Sequence, residues 1–183
     1  MTRIGLIERK TGETEIKVSL ALDGSGAGER DTGVGFFDHM LDLLARHGHL
    51  DLGVERLTDA DPDVFDRVMG AGLEISARFG DATVPMDESR AACAIDISGR
   101  GLVAFEAPLP PGAIGNFDHE LVEEFFRALA LNAKLTLHLT IERGTNAHHM
   151  IEAAFKAASR ALREATALDA AESGIPSTKG TLT

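Results

Sequence analysis

The sequence predicts an α+β fold made of two copies of one β-α-β-α unit, with the helices packed on one face of each sheet. Two matches between distant stretches predict this duplication. DHMLDLLARHGHLDLGV, which begins at Asp38, matches EEFFRALALNAKLTLHL, which begins at Glu123, at an offset of 85 residues. ETEIKVSLALDGSG, which begins at Glu13, matches ESRAACAIDISGRG, which begins at Glu88, at an offset of 75 residues. Packing helices on one face of a sheet buries the apolar side of both elements.

Each element of the first half follows from hydrophobic periodicity. The alternating run EIKVSLAL predicts a strand, and FFDHMLDLLARHG predicts a helix that Gly48 ends. A second alternating run predicts another strand, and an acidic stretch without periodicity predicts a loop. A short helix, weakened by two glycines, is expected to follow. These elements span residues 15–22, 36–48, 50–54, 56–66 and 64–75.

The second half is predicted to repeat this order with about ten extra residues between strand and helix. RFGDATVPMDES, which begins at Arg78, is interpreted as turns. The boundary is therefore placed near residues 79–87, which gives halves of residues 1–84 and 85–183, with a shortened segment at 59–78. The predicted elements are strands at 89–97, 102–105 and 134–141, a turn at 108–112 and helices at 121–132 and 147–165.

Composition and charge exclude several classes of partner. The chain has 183 residues and a formal net charge of −11, whereas a nucleic-acid or anionic-membrane surface needs a basic stripe. No stretch approaches the roughly 18 apolar residues of a membrane span, and the first ten residues lack the apolar region of a signal peptide. Cys93 is the single cysteine, which excludes an intramolecular disulfide. A cytoplasmic protein without nucleic-acid or membrane partners is expected.

The motif HHMIE at the start of the last helix carries the clearest chemical signal. Asn146 is a good N-cap residue, so His148, His149 and Glu152 fall on the first turn and a half. Residues three and four apart share a helix face, which places Glu152 beneath both histidines. Imidazoles and a carboxylate suit a divalent transition metal, although adjacent imidazoles diverge by about 100° and do not easily share one ion. An exposed histidine pair at a polar helix start is the alternative interpretation.

Two further histidines fall on one face of the earlier helix. His39 and His47 are eight residues apart, which can aim both side chains toward a common site. The alternative is that both are solvent-facing, with His47 favoured by the dipole at the helix C-terminus. One helix cannot complete a coordination sphere, so this face is a source of further ligands.

Five ordered motifs resemble those of the imidazoleglycerol-phosphate dehydratase family of histidine biosynthesis. They are RKTGETEI, TGVGFFDHMLDLLARHG, PMDESRAACAIDISGR, NAHHMIEAAFKAASRALREA and GIPSTKG, and the resemblance runs over nearly the whole length. The resemblance implies a duplicated α+β fold of the ribosomal protein S5 domain 2 type. It also implies a homo-oligomer well above a dimer, with manganese sites between subunits. The implied activity is that of a hydro-lyase that removes water from D-erythro-imidazoleglycerol phosphate to give imidazoleacetol phosphate.

The resemblance assigns roles to individual residues of this chain. A phosphorylated imidazole substrate would lie beside Glu13 and His47, with its phosphate near arginines and the PSTKG tail. Guanidinium forks and hydroxyls suit a phosphate, and Glu13 and Glu152 are the candidates for proton handling. The implied metal ligands are His39, His148, His149 and Glu152, and the implied phosphate contacts are Arg78, Arg100, Ser177, Thr178 and Lys179.

The chain departs from the family pattern in its first half. The family has a second HHxxE helix there, whereas this chain has the segment TDADPDVFDRVMGAGLEI, about a dozen residues shorter and without histidine. Glu124 stands where the family has another histidine, and a carboxylate there is a weaker candidate ligand. Manganese occupancy is therefore expected to be reduced. One alternative is a catalytically weakened or silent homologue that keeps fold, assembly and phosphate binding. Another is that acidic residues of the short segment supply oxygen ligands, namely Asp59, Asp61, Asp63 and Asp66.

Overall fold

Two four-stranded sheets and three helices make up the parts of the chain that the computed structural model describes, which are residues 3–10, 15–58 and 77–168. The first sheet is formed by β1 (Ile4–Lys10), β2 (Glu15–Ala21), β3 (Arg30–Asp31) and β4 (Asp51–Thr58). The second is formed by β5 (Phe79–Met86), β6 (Ser89–Asp96), β7 (Leu102–Glu106) and β10 (Thr136–Arg143), and a small hairpin by β8 (Ala113–Ile114) and β9 (Phe117–Asp118). The helices are α1 (Gly35–Gly48), α2 (Leu121–Asn132) and α3 (Ala147–Thr166).

The two sheets have the same strand order and the same register. The orders are β1-β2-β4-β3 and β5-β6-β10-β7, each with two antiparallel pairs and one parallel pair. Val18 pairs with Val54 in the first sheet, and Cys93 pairs with Leu139 in the second. These pairs are related by the offsets of 75 and 85 residues that the sequence matches gave. The α+β fold is therefore confirmed, and the duplication extends to individual strand partners.

The extra residues of the second half lie between β7 and α2. The offset of 75 still holds where β3 and β7 pair with their parallel neighbours, and it has become 85 at the helices. The β8–β9 hairpin occupies this connection. His119 directly follows β9, and its Nδ1 contacts the carbonyl oxygen of Pro110, before β8, at 2.7 Å.

Each sheet buries one face, and the helices cover it. In β6 the side chains of Ser89, Ala91, Cys93 and Ile95 are buried, in strict alternation. Helix α3 packs on β5, β6 and β10, helix α2 packs on β7, and α1 contacts α3 across the molecule. Burial raises the pKa of the Cys93 thiol to about 12, so this cysteine is a small core residue and not a reactive thiol.

Strand β5 corrects the prediction of turns at RFGDATVPMDES. Phe79–Met86 pairs with β6 along its whole length, and only Asp87 and Glu88 form the turn. Small residues face α3 here, because the helix passes so close that a Cβ atom on Gly80 would lie 2.2 Å from the carbonyl oxygen of Ala161. The second sheet therefore begins at Phe79, and a division between residues 84 and 85 falls within a strand.

The end of α1 differs in detail from the prediction. Gly48 is the last helical residue, and His49 adopts the left-handed conformation with φ of 54°. A Cβ atom at Gly48 would lie 3.1 Å from Leu50 Cγ, so a larger residue there would require the Leu50 side chain to shift by a few tenths of an ångström. Among the described residues, no helix is long and apolar enough to cross a membrane. The predicted helix at 64–75 lies outside those residues.

Candidate metal centre and active site

Helix α3 begins beside the first residues of β6. The side-chain oxygen of Asn146 accepts a hydrogen bond from the backbone N–H of His148 at 2.9 Å, which confirms the predicted N-cap. Gly144 lets the chain approach β6, since a Cβ atom there would lie 2.4 Å from Ser89 Oγ. The first turn of α3 is therefore fixed against the second sheet, and its His148 side chain extends toward α1.

Three side chains from α1 and α3 converge beside this turn. His148 Nε2 lies 3.3 Å from Glu152 Oε2, and His39 Nε2 lies 3.8 Å from the same oxygen. One ligand atom from each residue lies within 4.8 Å of the others. Ligand atoms around one ion, with bonds of about 2.0–2.2 Å, are separated by about 3–4.4 Å. The spacing and the two-nitrogen, one-oxygen donor set fit a divalent metal, and no other such group exists among the described residues.

Glu152 is the buried member of this cluster. Its side chain is 8% exposed, whereas those of His39 and His148 are 45% and 43% exposed. Burial raises the pKa of Glu152, but the hydrogen bond from Lys156 Nζ to Oε1 at 2.7 Å and the positive charge of Lys156 outweigh it, so the pKa is lowered. The carboxylate is therefore ionised near neutral pH, and the exposed side of the cluster is open to further ligands.

His148 is also held by an aromatic contact. Its ring meets the ring of Phe36 edge to face, with centroids 5.1 Å apart. This contact fixes the imidazole beside His39, whose ring centroid lies 6.2 Å away.

His149 points away from the cluster and toward the β5–β6 turn. Its Nδ1 lies 2.7 Å from Glu88 Oε2, and its Nε2 lies 3.7 Å from Asp87 Oδ2. The hydrogen bond to Glu88 raises the pKa of His149 and outweighs the opposing effect of desolvation, and the nearby carboxylate charges add to it. The structure thus brings together three of the four predicted ligands and directs the fourth elsewhere.

Arg78 and Arg100 lie at the end of the second sheet that is remote from the metal cluster. The backbone N–H of Arg78 donates to the carbonyl oxygen of Ala165, near the end of α3. Its guanidinium donates from Nε to Asp96 Oδ1 at 2.7 Å and from Nη2 to Asp96 Oδ2 at 3.2 Å. Arg100 lies in the turn after β6. At a rise of about 1.5 Å per residue, the helix separates Ala165 from His149 by about 24 Å. Within one chain, these arginines and the metal cluster therefore cannot belong to one compact site.

The family model for imidazoleglycerol-phosphate dehydratase matches residues 32–162 of this chain. A protein of that name from Desulforamulus reducens is 50% identical over 195 residues, covering 100% of each chain. One from Symbiobacterium thermophilum is 48% identical, covering 98% of this chain and 93% of the relative. The chain belongs to the imidazoleglycerol-phosphate dehydratase family. The predictions of a dehydratase, of the lyase class and of histidine biosynthesis are confirmed.

Solved structures of this dehydratase family have the same fold. The enzyme from Staphylococcus aureus matches with a TM-score of 0.80 and 39% identity, covering 91% of this chain and 99% of that chain. The enzyme from Pyrococcus furiosus, in complex with (S)-C348, matches with a TM-score of 0.78 and 30% identity, covering 95% and 99%. The dehydratase family is metal-dependent in general, and the cluster of His39, His148 and Glu152 gives this member a candidate metal site.

His47 lies on the same side of α1 as His39 and faces α3. It is half-buried, and desolvation lowers its pKa, with the positive charges of Lys156, Arg160 and Arg46 acting in the same direction and Glu152 opposing them. The imidazole is therefore neutral near pH 7. This position beside Lys156 is compatible with the substrate-side role that the dehydratase resemblance implies.

Glu124 is not part of the metal cluster in this chain. Its side chain is 66% exposed on α2, and its nearest charged partner is Arg127 at 3.9 Å. Four other predicted site residues lie outside the described residues, as do the aspartates of the short first-half segment. These four are Glu13, Ser177, Thr178 and Lys179.

Two residues of the site were missed by the sequence analysis. Lys156 follows Glu152 by four positions, a spacing that places both on one helix face and that was available as a signal. Glu88 is 61 residues from His149 in sequence, and no local pattern connects them. That contact exists only because the β5–β6 turn meets the start of α3.

Proposed function

We propose that this member of the dehydratase family removes water from D-erythro-imidazoleglycerol phosphate to give imidazoleacetol phosphate, using Mn²⁺ held by His39, His148 and Glu152. The convergence of these three side chains carries the proposal. Imidazole nitrogens with a carboxylate oxygen suit first-row divalent metals, and the carboxylate favours manganese within that series. His149 is proposed to face a second ion, because its ring points about a quarter-turn away from the cluster.

A bound divalent ion would stabilise negative charge on a coordinated substrate ring, which assists removal of a weakly acidic proton from carbon. Dehydration breaks one C–H and one C–O bond, so residues of the site must accept one proton and deliver one to the departing hydroxyl. Glu152 is poorly suited to either step, since one oxygen faces His148 and the other accepts from Lys156. Glu13 is therefore the proposed proton-handling residue, and Glu152 the proposed ligand.

The separation of the arginines from the metal cluster supports a site shared between subunits. From bond lengths of about 1.5 Å, a substrate with a three-carbon chain spans roughly 10 Å at most. That is well short of the roughly 24 Å between the two ends of α3. If Arg78 and Arg100 contact the phosphate, they belong to another copy of the chain. A homo-oligomer well above a dimer is proposed on this basis and on the family resemblance.

Surface properties of the described residues agree with assembly. Large apolar side chains are exposed on the outer strands and helix ends, which is expected where subunits meet. They are Ile4, Leu6, Phe79, Leu102, Leu121, Leu131 and Leu168. A cytoplasmic location, without nucleic-acid or membrane partners, completes the proposal. Ser177, Thr178 and Lys179 are proposed to contact the substrate phosphate.

The test combines metal content, turnover and size on one preparation. Purified protein is stripped with a chelator, reloaded with Mn²⁺ or Mg²⁺, and assayed with imidazoleglycerol phosphate, while light scattering gives its mass. The proposal expects turnover that depends on Mn²⁺ and an assembly larger than a dimer. Bound manganese without turnover would instead indicate a homologue that keeps fold and ligand binding alone. A stable monomer at micromolar concentration would contradict the shared site.

A further inference from the structure

Glu88 is the residue on which the β5–β6 turn and the start of α3 meet. Its Oε1 accepts hydrogen bonds from the backbone N–H of Thr145 at 3.1 Å and of Asn146 at 2.9 Å. The Ser89 hydroxyl lies 3.0 Å from the same oxygen. Its Oε2 is left for one contact, with His149 Nδ1 at 2.7 Å. One carboxylate oxygen thus contacts the backbone and the Ser89 hydroxyl, and the other contacts the His149 imidazole.

The chemistry of this contact fixes the form of the imidazole. An ionised carboxylate only accepts hydrogen bonds, so Nδ1 of His149 must donate. A glutamate is ionised near neutral pH at its ordinary pKa, and the two backbone N–H groups that donate to Oε1 favour the charged form. In the neutral imidazole, the lone pair then lies on Nε2. This nitrogen is on the far side of the ring from Glu88.

We propose that Glu88 is a positioning residue that fixes the tautomer and ring orientation of His149, so that its Nε2 is presented to a metal ion. This inference rests on the proposed function, in which His149 is a ligand. Histidine ligands generally donate their second ring N–H to a carboxylate or carbonyl, and loss of that partner costs about 10- to 100-fold in metal affinity or activity. Glu88 occupies the position of such a partner. It lies in the β5–β6 turn, 61 residues from His149 in the sequence.

The variant Glu88→Gln separates the two functions of the carboxylate. One amide oxygen remains to accept from the backbone of Thr145 and Asn146, so the start of α3 keeps its cap. The amide nitrogen that replaces Oε2 is a donor, and it cannot accept from Nδ1–H of His149. The imidazole must lose the contact or move its proton to Nε2, where it blocks metal binding.

The matched control is Asn146→Ala, which removes the N-cap of α3 and leaves both oxygens of Glu88 intact. It lowers thermal stability through the helix start without altering the partner of His149. If Glu88 acted only as a brace for the helix, both variants would weaken metal binding in proportion to their loss of stability. Positioning of His149 predicts an effect on metal binding in Glu88→Gln alone.

The experiment measures two properties of the full-length assembly. Solid-state ¹⁵N spectra of metal-free, [¹⁵N]histidine-labelled protein, recorded at a pH where His149 is neutral, report the tautomer, with His149→Asn assigning the signal. Competition with a chelator gives the affinity of the protein for Mn²⁺ in the absence of substrate. We expect Nδ1 of His149 to be protonated in the wild type, this preference to weaken in Glu88→Gln, and Mn²⁺ affinity to fall about 10- to 100-fold. Asn146→Ala is expected to keep the wild-type tautomer and to stay within about twofold of its affinity.

Each outcome decides between the alternatives. Unchanged tautomer and affinity in Glu88→Gln would overturn the inference, as would equal losses in Asn146→Ala. A double variant, Glu88→Gln with His149→Asn, should lose no more affinity than His149→Asn alone, because Glu88 acts through that ring. A wild type that holds the tautomer but binds no Mn²⁺ would contradict the metal in the proposed function and leave the positioning of His149 supported.

Discussion

The two halves of this chain each form a sheet with the same strand order, and they differ in what their polar positions do. Residues that pair at the centre of each sheet are apolar in both, as in Val18 with Val54 and Cys93 with Leu139. Equivalent polar positions have diverged, since His39 of the metal cluster corresponds to the exposed Glu124. The buried apolar positions thus keep the same register in both halves. The chemistry of each half can then change without altering the fold.

The same divergence is visible where each half fixes the turn after its second strand. Asp51 Oδ1 accepts from the backbone N–H groups of Ser25 and Ala27 at 2.7 and 2.9 Å. The equivalent residue of the second half is Thr136, whose hydroxyl lies 2.8 Å from Ser98 Oγ. A charged anchor in one half corresponds to a neutral one in the other.

The largest expected effect comes from removing the charge of the buried carboxylate in the metal cluster. Glu152→Gln should lower Mn²⁺ affinity and dehydratase turnover by at least about 100-fold, because a ligand oxygen loses its charge. Glu164→Gln is the control, since it lies on the same helix, is exposed, and keeps an oxygen that accepts from the N–H of Asp81. Elemental analysis after dialysis and a turnover assay check both. Wild-type metal content in Glu152→Gln would contradict the assignment of Glu152 as a metal ligand.

A second prediction compares the buried centres of the two sheets. Leu139→Ala should lower the free energy of unfolding by about 2–5 kcal/mol, because Leu139 is fully buried beneath α3. The equivalent Val54→Ala should lower it by about 1–2 kcal/mol, since fewer methyl groups are lost. Urea unfolding followed by circular dichroism, at one protein concentration, measures both. A greater loss for Val54→Ala would contradict the expectation that the cost follows the size and burial of the side chain removed.

A third prediction separates the arginine end from the metal end. Arg100→Met should raise KM for imidazoleglycerol phosphate by about 10- to 100-fold through lost charge-assisted hydrogen bonds. Metal content should not change, because Arg100 follows β6 at the end remote from His149. Arg127→Met is the control, since Arg127 pairs with Glu123 on the exposed face of α2. Loss of manganese in Arg100→Met would place both ends in one metal site.

The smallest effect concerns the two turn anchors. Backbone hydrogen bonds from Ser25 and Ala27 lower the pKa of Asp51 below its ordinary value of 3.8. Because the folded-state pKa is depressed, the contribution of Asp51 is present above pH 3.8 and is lost as pH falls through the lowered value. Asp51→Asn should therefore lower Tm at pH 6, and the difference from wild type should shrink below about pH 3.8. Thr136→Val should lower Tm by an amount that does not vary with pH; a parallel pH dependence would contradict this assignment.

Much of the fold could be predicted from the sequence because its buried positions alternate regularly. Strands β2, β4, β6 and β10 show that alternation, and the helices show their apolar stripe. Strand β5 was missed because close contact with α3 requires small residues such as Gly80, which carry little hydrophobic signal. Strand β1 was not predicted, and its large apolar side chains include the exposed Ile4 and Leu6.

The candidate site was predictable only in part, for a related reason. His39, His148 and Glu152 were identified from helical spacing and family resemblance, and the structure brings them together. The separate direction of His149 depends on Glu88, which reaches it through a contact between distant segments. The match to the relative from Desulforamulus reducens spans 195 positions, 12 more than the 183 residues of this chain. The shortening at residues 59–78 stays a prediction, because residues 59–76 lie outside the described part.

The placement of Arg100 and His148 at opposite ends of one subunit has a genetic consequence. In the proposed shared site, a subunit with a damaged Arg100 still contributes an intact His148. A subunit with a damaged His148 still contributes an intact Arg100. Two inactive alleles of this kind, expressed together, would assemble into mixed particles in which some pockets join two undamaged ends. A cell carrying both would grow without added histidine, although neither allele supports growth alone.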